Sequence, residues 1–380
     1  MKVPFFHHSL GKPELDAVAE VLAGPLLTTG EWVSRFEQRF AEYLGVKHCL
    51  GVTSCTGALH LCLEALGIGP GDEVITTAMT FIATATSVLE AGATPVLVDC
   101  ERDTGLIDPA AVEAAITPRT KAIIPVHLYG QMADMRALRA IADRNGLALV
   151  EDAAHCVEGV RDGAKPGQLG DFACFSFYAT KNLTCGEGGA LVTNRSDLID
   201  RLRLLRLHGM TKTAADRARE GYQHWDMVLL GWKYNMDNIQ AALLLPQLGR
   251  IEEKWRERHA LLTRYDGLLA GAPGLIRPRT VPYSRHALHL YPVWVVSQPR
   301  DEVVAGLHAA GVSCVVNYRA IHLLTYFREK FGYRPGSFPN AEWIGDRTLS
   351  LPFYPGMPPE HVDRTAEALT GLLHRQSRAA

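Results

Sequence analysis

Seven short runs rich in β-branched and apolar residues recur through the first two-thirds of the chain: His48–Val52, Glu73–Thr77, Pro95–Val98, Lys121–Val126, Leu147–Glu151, Phe172–Tyr178 and Ala190–Thr193. Helical patterns fill most of the intervals. In Asp134–Asn145, for example, Met135, Leu138 and Ile141 recur at helical spacing, and Asn145-Gly146 stops the helix. Strand, helix, strand at this rhythm builds βαβ units and a mostly parallel sheet. The run Ala122-Ile123-Ile124-Pro125-Val126 is apolar without alternation, so both faces of that sheet are expected to be covered.

After about residue 245 the pattern changes. Ile251–Leu269 reads as a long charged helix, followed by a strand at Tyr291–Val296, a helix at Asp301–Ala310 and a strand at Ser313–Tyr318. At 380 residues the chain exceeds the size at which one core keeps growing. The expectation is a large domain over 1–245 and a small C-terminal α/β domain over 246–380, hinged at the long helix. The first residues, about 20 of them, are candidates to pack on the small domain.

Composition removes several function classes. With 47% apolar and 21% charged residues the chain is not disordered. Thirty-nine basic against 41 acidic residues give a net charge of −2, which argues against a dedicated nucleic-acid binder. No apolar run approaches the roughly 20 residues of a membrane span. Met1–His8 is too short and polar for a signal peptide. The eight cysteines form no C-x-x-C pair, and several sit in apolar runs, so free buried thiols in a reducing cytoplasm are expected. His7-His8 and His286/His289 make no persuasive metal set, and no metal is expected.

Four local features carry chemistry. Ser54-Cys55-Thr56-Gly57 follows a strand and opens the helix Ala58–Leu66. It reads as a plain N-cap or as a phosphate-binding helix start. Glu151-Asp152-Ala153-Ala154-His155 ends a strand, where an acid either caps a helix or holds a cation or protonated ring nitrogen. Phe175 to Asn182 places Lys181 after an aromatic strand and before Cys185-Gly186-Glu187-Gly188-Gly189. That lysine is a surface residue at a strand end or an amine with a lowered pKa, nucleophilic toward carbonyls. Gly231 to Gln240 is an aromatic loop with no clear message alone. Together the first three make the layout that pyridoxal phosphate (PLP) needs: a phosphate site, an acid for the pyridine nitrogen and a lysine for a Schiff base.

From about Pro4 to Leu373 the chain resembles the DegT family of PLP-dependent aminotransferases, whose members mostly act on nucleotide-linked keto-sugars. Leu27-Thr28-Thr29-Gly30, Ser54 to His60, Glu151 to His155 and Phe175 to Asn182 carry the likeness in order and spacing. It implies the type I aminotransferase fold: a mostly parallel seven-stranded sheet flanked by helices, plus a smaller C-terminal α/β domain. Lys181 matches the Schiff-base lysine, Asp152 the partner of the pyridine nitrogen and His155 the group beside the ring hydroxyl. Phe81 matches the aromatic that stacks on the ring, and Cys55, Thr56 and Ser176 match phosphate contacts. Lys233 and Asn235 match a segment that reaches the phosphate of a neighbouring subunit, which implies a homodimer with sites at its interface. Thr28, Thr29, Tyr178, His208, Tyr318 and His322 are candidates to meet the substrate. Arg201, Arg203 and Arg206 are candidates to line a path for its diphosphate, or form a solvated helix face.

Many relatives have Asn and Arg where this chain has Lys233 and Asn235. That swap, with Asn317 to His322 and Ser350 to Pro355, is similar to the branch that aminates C4 of the sugar, including the lipid A 4-amino-arabinose pathway. The implied reaction moves an amino group from L-glutamate to a keto-sugar with ping-pong kinetics. Rival readings are a sugar dehydratase, a C3 aminotransferase or an amino-acid lyase on the same scaffold, a PLP-binding regulatory protein without turnover, and an NAD-binding sugar epimerase. The last is disfavoured because Gly67-Ile68-Gly69-Pro70-Gly71 lacks the final fingerprint glycine and precedes a strand. Relatives that dehydrate carry His in place of the lysine, and this chain has Lys181.

Overall fold

The computed structural model describes residues 2–216 and 224–377. Twelve strands are found among them: β1 His48–Val52, β2 Glu73–Thr77, β3 Thr94–Val98, β4 Thr120–Ile124, β5 Ala148–Asp152, β6 Val160–Arg161, β7 Phe172–Ser176, β8 Gly189–Thr193, β9 Leu275–Ile276, β10 Ser284–Arg285, β11 Tyr291–Val295 and β12 Thr348–Leu351.

Seven of them form the main sheet, in the order β1-β8-β7-β5-β4-β2-β3. β3, β2, β4, β5 and β7 run parallel, and β8 is antiparallel to both of its neighbours. Alternate strand residues feed two covered faces. Val74, Ile124, Val150 and Cys174 meet the helix Cys55–Ala65 and the helix Ile199–Leu205. On the other face Ile75, Ile123 and Leu149 meet the helix Met135–Asn145, while Phe175 and Val192 meet Phe36 and Phe40 of the helix Glu31–Leu44. Local chemistry sets the helix ends. Asp134 caps Met135–Asn145 by accepting from the Ala137 N–H at 3.0 Å, and Gly146 ends it at φ 63°, where a glycine is unstrained.

A second core gathers on the antiparallel sheet β12-β11-β9. Tyr291 and Val293 of β11 pack there with Tyr265 of the long helix Ile251–Leu268, Leu307 of Arg300–Ala309 and Leu369 of Pro359–Ser377. The chain start joins this part: the Val3 N–H donates to Gly311 O at 2.8 Å, and the Ser313 N–H to Val3 O at 2.9 Å. The helix Lys12–Ala23 instead packs Ala17 and Val21 on Ala242 of Asn238–Gly249.

One expected strand is absent. Ser313–Tyr318 makes only an isolated bridge between Val315 and Ser350, and β12 takes the place beside β11. The segment turns off the sheet instead and brings Asn317 and Tyr318 to a cavity above the main sheet.

Candidate active site

The carboxyl ends of parallel strands are where an open α/β sheet leaves room for a ligand. Here a cavity of about 520 Å³ opens at that edge. Asp152 reaches it from the end of β5, Ser176 from the end of β7, and Ser54, Cys55 and Thr56 from the helix start after β1. Lys181, Tyr178, His155, Phe81 and Tyr318 complete the group of expected residues along its wall.

The helix start has the geometry to cradle an anion. Ser54 Oγ takes the Gly57 N–H at 3.0 Å, leaving earlier amides of the first turn for a ligand. Strand β8 passes close beneath it. A Cβ on Gly189 would meet Ser54 C at 2.4 Å and Cys55 N at 2.6 Å, so only glycine permits this approach.

Asp152 is only 6% exposed. Its Oδ2 accepts from Thr84 Oγ1 at 2.7 Å and its Oδ1 from the Ala154 N–H at 3.1 Å. Burial raises its pKa, with Thr84, the Ala154 N–H and Lys181 pulling it back. A buried carboxylate in that condition gains from a cation such as a protonated ring nitrogen. Lys181 is pushed down to about 8 by burial, against the opposing pull of Asp152 and Cys55. About a tenth of its amine is therefore neutral at pH 7, far more than for an ordinary lysine, and the neutral form is the one a nucleophile requires. Burial first, then Lys181, holds the pKa of His155 well below the usual range, so the ring is neutral. Phe81 is 52% exposed, a ring left uncovered at the cavity wall.

These residues fit pyridoxal phosphate. The amide cradle and the hydroxyls of Thr56 and Ser176 suit a phosphate, Asp152 suits the ring nitrogen, Phe81 suits the ring face and Lys181 suits the aldehyde.

Other expected residues lie elsewhere. Thr28, Thr29, His208, Lys233 and Asn235 line a separate cavity of about 290 Å³. There Lys233 Nζ donates to Asn235 Oδ1 at 2.5 Å, and Asn235 Nδ2 to Thr29 Oγ1 at 2.7 Å. His322 is in neither cavity. It is fully buried, with Nε2 2.9 Å from Glu342 Oε1 and its ring edge-on to Phe338 and Tyr333. The short helix Ile321–Leu323 turns it inward, which corrects its place among the substrate candidates. Arg206 is corrected as well: it is buried, ion-paired with Glu37 at 2.5 Å and donating to Gly51 O at 3.0 Å, so it offers nothing to a diphosphate. Arg203 pairs on the surface with Asp200, and Arg201 donates to Glu64 O.

Two residues that touch the site went unread in the sequence. Thr84 holds Asp152, and Thr80 Oγ1 lies 2.7 Å from Thr84 Oγ1. Their spacing of four around a helix start after β2 was the available signal.

Residues 8–370 match the DegT/DnrJ/EryC1/StrS aminotransferase family. The spore coat polysaccharide biosynthesis protein SpsC of Bacillus subtilis is 42% identical over 377 residues, covering 98% of this chain and 97% of SpsC. The crystal structure of S. venezuelae DesV superposes with a TM-score of 0.88 at 39% identity, over 95% of this chain and 94% of DesV. Spr1654 of Streptococcus pneumoniae, assigned as a sugar aminotransferase, superposes in its PLP form with a TM-score of 0.92 at 30% identity, over 99% of both chains. With the match running through both cores and every cavity-lining segment, the chain belongs to the DegT/DnrJ/EryC1/StrS aminotransferase family.

Proposed function

We propose that this aminotransferase uses pyridoxal phosphate to move an amino group from L-glutamate to C4 of a nucleotide-linked 4-keto sugar. The observation that carries the reading is the meeting of Lys181, Asp152 and the Ser54–Thr56 helix start in one cavity. PLP forms of a structural relative support the cofactor, and the polysaccharide role in the name of SpsC supports the sugar class. The likeness of Lys233 and Asn235 to the C4 branch supports the position.

Bound pyridoxal phosphate supplies an aldehyde that exchanges amino groups and a ring that draws off the electron pair left when the donor loses its α-proton. Lys181 Nζ would hold that aldehyde and, once displaced by the donor, would take the α-proton as a general base. Asp152 keeps the ring nitrogen protonated. Cys55 and Thr56, with Ser176, hold the phosphate, and Phe81 covers the ring. Glutamate leaves as 2-oxoglutarate before the sugar reacts, so the kinetics are ping-pong.

The working unit in this reading is a homodimer. Lys181 is the sole Lys or Arg among the described residues lining the main cavity, so a phosphate there lacks a counter-cation from its own chain. Lys233 of a second copy supplies it, with Asn235 beside it as an uncharged amide. The eight cysteines are unpaired, which suits a reducing cytoplasm.

The test is a panel of UDP-, dTDP- and GDP-linked 4-keto and 3-keto sugars with labelled glutamate, the products identified by NMR. Labelled nitrogen at C4 of a 4-keto sugar is expected. Reaction of 3-keto sugars alone overturns the C4 position, and loss of water without nitrogen transfer overturns the aminotransferase reaction in favour of dehydration. Borohydride reduction should fix the cofactor on Lys181, and an unlabelled Lys181 peptide overturns the cofactor attachment.

A further inference from the structure

Behind the cavity wall, the protons on three side chains can be read from their partners. The Tyr129 N–H donates to His155 Nδ1 at 3.2 Å. A neutral imidazole with Nδ1 accepting carries its proton on Nε2. That nitrogen lies 3.0 Å from Tyr318 Oη, so the ring donates and the phenol oxygen accepts.

The next layer holds this arrangement. Asn182 Nδ2 lies 2.9 Å from Glu158 Oε2 and 2.9 Å from Ala287 O. Both are acceptors, which fixes the amide, so Asn182 Oδ1 takes the Nδ1–H of His289 at 3.2 Å. The His289 ring lies 4.4 Å from the His155 ring, and Arg258 pairs with Glu158 at the back of the row.

Tyr318 Oη thus receives a proton from behind, and its own proton is left for the front. The ring lines the main cavity, 5.6 Å from Phe81. Burial, with Asp152 adding to it, pushes the phenol pKa up, so the group is protonated at working pH.

We propose that Tyr318 is a catalytic residue of the carbonyl exchange, carrying protons to the sugar's keto oxygen as it leaves as water and, in reverse, from the water that supplies the keto oxygen of 2-oxoglutarate. The inference rests on the aminotransferase reading and deepens it from contact to chemistry. When an amino nitrogen replaces the keto oxygen, a carbon–nitrogen double bond forms and the carbon–oxygen bonds break. The oxygen departs as water with two protons that the nitrogen sheds, and nothing is oxidised or reduced. The phenol gives its proton to the oxygen and recovers one from the nitrogen, twice over. Between transfers the His155 Nε2–H stabilises the phenolate without leaving its ring.

Tyr318→Phe keeps the ring and removes Oη. In the holoenzyme, each half-reaction is followed separately by the cofactor's visible absorbance in a stopped-flow instrument. Release of 2-oxoglutarate, read by quenching and assay, and the keto-sugar half should each slow about 100-fold or more, while the bleaching of the visible band by glutamate, which Lys181 drives, slows far less. The cofactor-binding midpoint, read by absorbance titration, should not move. Equal slowing of the bleaching and of 2-oxoglutarate release, or slowing of neither the release nor the keto-sugar half, overturns the inference. A second measurement needs no variant to fold: ¹⁵N spectra of histidine-labelled parent protein should show the Nε2–H tautomer for His155, and an Nδ1–H tautomer overturns it. If the parent accepts glutamate's amino group yet converts no keto-sugar, the sugar reading falls and this inference with it. If the parent converts the sugar and Tyr318→Phe matches it, this inference alone falls.

Discussion

Position 181 sets the sharpest dependence on pH. In the proposed reaction the neutral amine is the nucleophile, and burial brings its pKa down to about 8. Loading of pyridoxal phosphate onto apoprotein, followed by the rise of the visible band, should therefore speed up about tenfold per pH unit below pH 8 and level off above it. A rate that keeps climbing toward the ordinary lysine range would mean the site leaves this amine unperturbed. Lys181 and Asp152 could be brought to one cavity from the sequence because Asp152 ends β5 and Lys181 follows the end of β7 by five residues, and strand ends are where a parallel sheet presents chemistry. Thr84 was missed: its spacing of four from Thr80 hinted at a pair, but nothing in the sequence named Asp152 as its partner until β5 brings that carboxylate to 2.7 Å. His322 entered the substrate candidates through the family likeness, which does not say which way a side chain turns, and here it turns toward Glu342.

At the scale of elements, two packings govern the site. Strand β8 touches the start of the helix Cys55–Ala65 through Gly189, so Gly189→Ala should push the phosphate cradle outward. The expected cost is about 1–3 kcal/mol of stability, with cofactor affinity down about tenfold or more. Circular dichroism checks that the fold survives, and an absorbance titration reads the affinity. The long helix Ile251–Leu268 is tied to the main sheet's loops by the buried pair of Arg258 and Glu158. Glu158→Ala strands a buried guanidinium and frees Asn182, and should cost about 3–5 kcal/mol in urea unfolding. The double change Glu158→Leu with Arg258→Met should recover most of that loss. Little recovery would show that packing around the pair, rather than its charge, is what holds the helix. The strands of the main sheet were readable as apolar runs of the right length. The segment Ser313–Tyr318 has the same β-branched composition, yet it leaves the sheet after Val315, because Tyr318 is held by His155 and not by a strand partner. Composition gives the propensity to extend, and tertiary contacts decide whether a neighbour is there.

At the scale of the whole molecule, the proposed dimer makes a demand that a monomer does not. Trp225, Met227, Val228 and Leu230 are exposed beside the segment that leads to Lys233, as is Leu27 beside Thr28. Apolar side chains clustered on an exposed surface in this way suit burial against a second copy. The main cavity needs a cation for its phosphate, and Lys233 sits in a different cavity of the same chain. If each site joins Lys181 of one subunit to Lys233 of the other, two crippled variants can rescue one another. Lys181→Ala spoils the site its own cavity forms, and Lys233→Ala spoils the site of its neighbour. In a mixed dimer both defects then fall in one site and the other is intact. Unfolding the two variants together and refolding them at equal amounts should give half mixed dimers, and so about a quarter of the parent's activity. If Lys233 instead served its own chain, each mixed dimer would carry one defect in each site, and mixing would restore nothing. Light scattering on the same samples should give twice the 41.7 kDa of the chain, so that a failed rescue in a true dimer speaks to where Lys233 acts and not to whether the subunits meet.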